Sequence, residues 1–200
     1  MFGGTFDPVH NGHLCVAEAL ADSAGLSRVF FVPSRSAPHK PGDDMAPADD
    51  RAAMVRLAID GNPRFALSRL EIDRPGPSYT IDTVRALVRD LESTPLLILG
   101  VDAFLLIRTW HQWEDLVAMA PFALACRVGY DVGAARDLAR EIGARVEYVL
   151  DSVWVSVSST TVRERVAAGG SIRYLVPDPV VDYITSRGLY RPGVPLGSRR

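Results

Sequence analysis

The N-terminus carries Gly3-Gly4-Thr5-Phe6-Asp7-Pro8-Val9-His10-Asn11-Gly12-His13, residue types suited to handling phosphate. Gly3 and Gly4 have no Cβ, so backbone N–H groups there can approach a ligand closely. Asp7-Pro8 reads as a turn. The pattern Leu14, Val16, Ala17, Leu20 that follows predicts a helix over 13–24. His10 and His13 then straddle its N-terminus, three residues apart and able to face one way, toward the positive end of the helix dipole. Such a place suits an anion, phosphate above all. Two imidazoles there can donate hydrogen bonds to phosphoryl oxygens as charge develops. A His-x-x-His pair also suits a metal, but the other histidines, His39 and His111, lack matching spacing. The string is neither a P-loop nor G-x-G-x-x-G.

A second constellation is Val157-Ser158-Ser159-Thr160-Thr161-Val162-Arg163. Hydroxyls ahead of an amphipathic helix cap its free N–H groups, and Thr161-x-x-Glu164 has the form of a capping box. Arg163, expected in the first helical turn, opposes the helix dipole, a conflict that an anionic ligand would resolve. Ala37-Pro38-His39-Lys40 holds the one lysine among 22 lysines and arginines; taken alone it is a solvated loop cation. Pro77-Ser78-Tyr79-Thr80-Ile81-Asp82-Thr83 opens another helical pattern, with Ser78 or Thr80 as the capping residue. Gly100-Val101-Asp102 follows the apolar run Leu96–Leu99, and a carboxylate at a strand's carboxyl end is where α/β folds meet a ribose hydroxyl. Thr109-Trp110-His111-Gln112-Trp113 offers aromatic faces, although tryptophan is more often core than ligand platform.

The elements that must position these residues alternate in type. Short apolar runs at 29–32, 65–68, 96–99, 122–126 and 146–149 predict strands covered on both faces. Helical periods fall between them at 13–24, 50–60, 81–92, 113–119 and 134–142, with two more at 162–168 and 179–187. Alternation of this kind predicts an α/β fold with a doubly wound parallel sheet and a C-terminal helical segment, one domain over 1–190. Residues 34–50, with three prolines, read as a surface loop, and 191–200 as a disordered tail. Only Met1 and Phe2 precede Gly3, so the expectation is a first strand that is missing or truncated, with a start codon upstream.

Composition excludes several classes. The 200 residues carry a formal net charge of −2, which argues against a broad basic surface for nucleic acid. No apolar run is long enough to span a bilayer, and the N-terminus has no signal-peptide pattern. Two cysteines, Cys15 and Cys126, form neither a disulfide framework nor a zinc pattern and fit packed thiols in a reducing cytoplasm.

The Gly3–His13 string resembles the signature of the H-x-G-H nucleotidyltransferase superfamily, in the form found in bacterial nicotinate-nucleotide adenylyltransferases. The likeness runs from Gly3 to Tyr190. Val157–Arg163 is similar to that family's Ile-Ser-Ser-Thr-x-Ile-Arg, with valine for isoleucine twice. Arg127-Val128-Gly129-Tyr130 resembles its Arg-Pro-Gly-Tyr, with Val128 in place of proline. Tyr174–Pro177 and Gly188-Leu189-Tyr190 match its C-terminal pattern, as a helix close without chemistry. The resemblance implies a Rossmann-like fold and adenylyl transfer from Mg2+-bound ATP to nicotinate mononucleotide, with no nucleic-acid or membrane partner. It implies His10, His13, Lys40 and Arg163 at the phosphates. Gly3, Gly4, Thr5, Phe6, Gly100, Asp102, Ser158, Ser159 and Thr160 would hold ATP, and Tyr79, Thr80, Trp110 and Arg127 the nicotinate mononucleotide, with no metal ligand among the side chains.

Overall fold

In the computed structural model, which describes residues 1–35, 45–126, 131–151 and 157–192, six parallel strands form one sheet in the order β3-β2-β1-β4-β5-β6. The strands are β1 (Phe2–Gly4), β2 (Val29–Pro33), β3 (Phe65–Leu67), β4 (Leu97–Gly100), β5 (Phe122–Ala125) and β6 (Val146–Leu150). The helices are α1 (Asn11–Ser23), α2 (Ala48–Ile59), α3 (Leu70–Asp73), α4 (Thr80–Leu91), α5 (Val101–Leu105), α6 (Trp113–Met119), α7 (Val132–Ile142), α8 (Ser159–Ala167) and α9 (Asp178–Arg187). Lys40, Arg127, most of the 34–50 loop and residues 193–200 of the tail lie outside the described residues.

Alternation along the strands sorts the core into two layers. Val29, Phe31, Ile98, Ala123 and Ala125 face a layer built with Leu20 of α1, Met54 of α2, Val162 of α8 and Ile184 of α9. Val32, Leu97, Leu99, Phe122 and Leu124 face the other, against Ile81 of α4, Phe104 of α5, Leu116 of α6 and Ala135 of α7. Helices therefore cover both faces, as the apolar central strands require. The edge strands depart from the expectation of full cover: β3 is half-buried throughout and Glu147 of β6 is exposed. An edge strand has a neighbour on one side only, so its flank meets solvent.

The first strand is present, three residues long, and pairs in parallel with β2 (Phe2 opposite Phe31) and with β4 (Phe2 opposite Ile98). It was hidden in the sequence because two of its three residues are Gly3 and Gly4, which local β-propensity disfavours. Long-range pairing on both sides outweighs that preference. The Met1 amino group donates to the Leu96 carbonyl at 2.7 Å, and burial pushes it down to about 5.

Candidate active site

The strand order reverses between β1 and β4, and open α/β sheets bind ligands outside the carboxyl ends at such a switch point. The two leading segments of the sequence emerge there, Thr5–His10 from β1 and Gly100–Asp102 from β4.

Helix α1 begins at Asn11, two residues earlier than predicted, with His10 as its N-cap and His13 as its third residue. Each ring closes one backbone bond: His10 Nδ1 accepts from His13 N at 3.3 Å, and His13 Nδ1 accepts from His10 N at 3.2 Å. This is a capping box made from two histidines, where serine and glutamate are usual. Because both Nδ1 atoms accept, each ring carries its proton on Nε2, the edge that can donate. The rings stack with centroids 3.6 Å apart and 21° between planes. Phe6 fixes the outer side of the pair, its ring 5.0 Å from that of His13 at 74°. The Phe6 ring is itself buried in the core, so only its backbone, held at φ 50°, is left to meet a ligand. The ring packs directly over Gly4, where a Cβ would stand 3.2 Å from Phe6 Cζ.

Helix α8 begins at Ser159, three residues earlier than predicted. Its cap is Ser158, whose Oγ accepts from Thr161 N at 3.0 Å, and not the predicted Thr161–Glu164 box. Ser159 Oγ donates to the Pro8 carbonyl at 2.9 Å, tying α8 to the His10 turn. Arg163 consequently sits in the second turn, and its side chain leans back along the helix, as helical side chains do. It donates to the Asp7 carbonyl at 2.8 Å, lies 3.8 Å from Asp7 Oδ2, and reaches Thr160 Oγ1 at 3.4 Å. The negative charge that reconciles Arg163 with the dipole is thus in the protein itself, the buried carboxylate of Asp7.

At the neighbouring strand end, Gly100 caps α5 and Asp102 lies in its first turn. A Cβ at Gly100 would collide with Asp102 Oδ1, so glycine is required for the carboxylate to fold back over the strand end. The start of α4 and the Thr109–Trp113 segment form a second group. Tyr79 stacks on His111, centroids 4.2 Å apart and 26° between planes, bringing the start of α4 against the Thr109–Trp113 segment. Trp110 and Trp113 are both half-buried against the same core layer. Neither Ser78 nor Thr80 caps α4: Tyr79 holds the cap position without a side-chain bond, and Ser78 Oγ accepts from Arg35 N at 3.0 Å.

Sequence reasoning missed the groups underneath. Buried Glu71 accepts from Thr83 Oγ1 at 2.8 Å, and Arg74 donates to Thr83 Oγ1 and to the Tyr79 carbonyl, each at 3.3 Å. Burial pushes the Glu71 carboxyl up, opposed by the Thr83 bond and the Arg74 charge. A carboxyl raised in the folded state contributes its full stability below the unfolded value and loses it as pH rises through the folded one. Glu71→Gln removes that loss. The melting temperature of the variant minus that of the parent is expected to be more positive at about pH 7.5 than at about pH 5. Thermal melts giving a flat or reversed dependence refute this.

Comparison with known proteins places this arrangement. The chain belongs to the cytidylyltransferase-like family, whose model matches residues 1–165. A protein of Symbiobacterium thermophilum named "Probable nicotinate-nucleotide adenylyltransferase" is 48% identical over 197 residues, covering 96% of this chain and 95% of its own length. One of Thermomicrobium roseum with the same name is 42% identical, covering 96% and 90%. The nicotinic acid mononucleotide adenylyltransferase of Plasmodium falciparum, solved in complex with NaAD, superposes with a TM-score of 0.80 at 19% identity, over 94% of this chain and 95% of that one. The chain belongs to the nicotinate-nucleotide adenylyltransferase family and is an enzyme of that nucleotidyltransferase class. Among the described residues no helix is long and apolar enough to cross a membrane.

Proposed function

We propose that the chain, as a single domain over 1–190, transfers the adenylyl group of ATP to nicotinate mononucleotide in NAD biosynthesis, giving deamido-NAD and pyrophosphate. The carrying observation is the stacked His10–His13 pair, each ring fixed through Nδ1 at the N-terminus of α1 beside the switch point. In this reading both Nε2–H groups donate to the α-phosphoryl oxygens, where negative charge builds as the 5′-phosphate of the mononucleotide attacks in line. Arg163, braced on Asp7, and Lys40 balance the departing pyrophosphate. Gly3, Gly4, Thr5 and the Phe6 backbone line the triphosphate with Ser158, Ser159 and Thr160. Gly100 and Asp102 take the adenosine, and Tyr79, Thr80, Trp110 and Arg127 the nicotinate. No general base is needed, because a phosphate monoester is largely ionised near neutral pH. Catalysis is then a matter of positioning and charge.

A divalent ion, Mg2+ in this reading, arrives with ATP and screens its phosphates. Among the described residues there is no group of three or more His, Cys, Asp or Glu that could hold a metal ion. A cytoplasmic location goes with the sequence's two cysteines, Cys15 and Cys126, which make no disulfide framework. Pyrophosphate release is the test, with ATP plus nicotinate mononucleotide, nicotinamide mononucleotide or phosphopantetheine. The nicotinate substrate is expected to give the highest kcat/KM. Preference for phosphopantetheine would assign a sister enzyme, and no release from any pair a nucleotide-binding regulator.

A further inference from the structure

We propose that Arg51 is a positioning residue for the phosphate turn Thr5–His10, working against a brace at Asp7 that includes Tyr190 from the far end of the chain. The inference rests on the adenylyl-transfer reading of the site. Helix α2 carries two consecutive buried charges, Asp50 and Arg51, exposed by only 6% and 1%. Neighbours on a helix point about 100° apart, so the two serve different partners. Asp50 accepts from Tyr183 Oη at 2.7 Å and from Arg187 Nε at 3.2 Å, docking α9.

Arg51 turns the other way, to the carboxyl ends of the strands. Its hydrogen bonds among the described residues all run to main-chain carbonyls on three separate segments. Nε donates to Ala46 at 3.0 Å, Nη1 to Thr5 at 2.6 Å and Nη2 to Arg35 at 3.1 Å. A cation at this depth costs more free energy than an apolar side chain of the same volume, so packing alone does not account for it. What the planar guanidinium supplies is a fixed fork of donors that holds three carbonyls at set angles. One of those carbonyls belongs to Thr5, next to Phe6 at φ 50°, a conformation that a non-glycine residue keeps only when its surroundings hold it.

The opposite side of Phe6 is held through Asp7. Its Oδ1 accepts from Tyr190 Oη at 2.7 Å and from Ala46 N at 3.2 Å, and Arg163 lies at Oδ2. Ala46 therefore bonds Arg51 through its carbonyl and Asp7 through its N–H, joining the two braces. Tyr190 belongs to the Gly-Leu-Tyr segment that by sequence only closes a helix. Its phenol instead reaches the turn that presents His10, and through Asp7 bears on Arg163.

The experiment measures kcat and both KM values for Arg51→Met, Arg51→Lys and Tyr190→Phe by pyrophosphate release, beside the parent chain. Small misplacements of reacting groups cost about 100-fold. Arg51→Met is expected to lose about that in kcat/KM for ATP, with KM for nicotinate mononucleotide within about 3-fold of the parent. Arg51→Lys keeps the charge without the fork and is expected to recover about 10-fold of the loss. Tyr190→Phe keeps the ring and is expected to lose about 10-fold. Folded Arg51→Met at the parent kcat/KM overturns the proposal. So does a loss in Arg51→Met that Arg51→Lys does not reduce. Should Arg51→Met not fold by circular dichroism, parent-like kinetics in both other variants overturn it. A parent that releases no pyrophosphate defeats the proposed function instead, and a shift of ATP dissociation constants among the same variants still tests Arg51.

Discussion

His13→Ala is expected to lower kcat by about 100- to 1000-fold, the loss seen when one preorganised donor to a developing oxyanion is removed. The variant loses the Nε2–H donor of one ring. It also loses the bond from His10 N to His13 Nδ1, and with it the stacked neighbour that holds the His10 ring. Stability is expected to fall by only about 1 kcal/mol, the usual cost of a lost cap, because the helix keeps its apolar face of Val16, Ala17 and Leu20. The two readouts therefore separate: circular dichroism and thermal melts near the parent, turnover far below it. Near-parent kcat in a folded His13→Ala would remove the imidazole pair from the chemistry and leave it a capping device.

Arg163→Ala is expected to lower kcat/KM for ATP by about 100-fold or more, with a smaller effect on the mononucleotide. The guanidinium is braced on Asp7 rather than free to follow the ligand, so its contribution comes from being in place before ATP arrives. Stability is expected to drop by about 1–2 kcal/mol, less than for a fully buried pair, since the Arg163 side chain is 34% exposed and water screens the interaction. Asp7 keeps its bonds from Tyr190 and Ala46, which limits the penalty further. Arg163→Lys separates charge from geometry: an ammonium cannot bond Asp7 O and Thr160 Oγ1 in one plane, so only partial recovery is expected. Full recovery would mean that charge alone matters at this position.

Both variants target residues that were legible in the sequence, while the groups behind them were not. His10, His13, Ser158 and Arg163 stand out because a helix start writes itself locally: small or hydrogen-bonding residues, then an apolar period. The same locality made the central strands readable, since Val29–Pro33, Leu97–Gly100 and Phe122–Ala125 are apolar on both faces. Helix starts were misplaced by two or three residues at α1 and α8, because the capping groups there are histidine and a serine ahead of the predicted box.

Arg51, Glu71 and Tyr190 carried no such signal. Arg51 closes the first turn of α2, beside Ala52, Met54 and Val55, where arginine ordinarily means a solvated face, and its carbonyl partners are 5, 16 and 46 residues away. Tyr190 and Asp7 are 183 residues apart. By itself the sequence determined the layered α/β class, the N-termini of the longer helices to within one turn and the residue types able to meet phosphate, because each depends on near neighbours along the chain. Only the tertiary structure decided that the three-residue strand Phe2–Gly4 sits between β2 and β4, which puts the switch point at the phosphate turn. It alone paired Arg163 with Asp7 and set Arg51 behind Thr5. Those contacts join segments distant in sequence, and a buried charge reveals its partner only once the chain has folded around it.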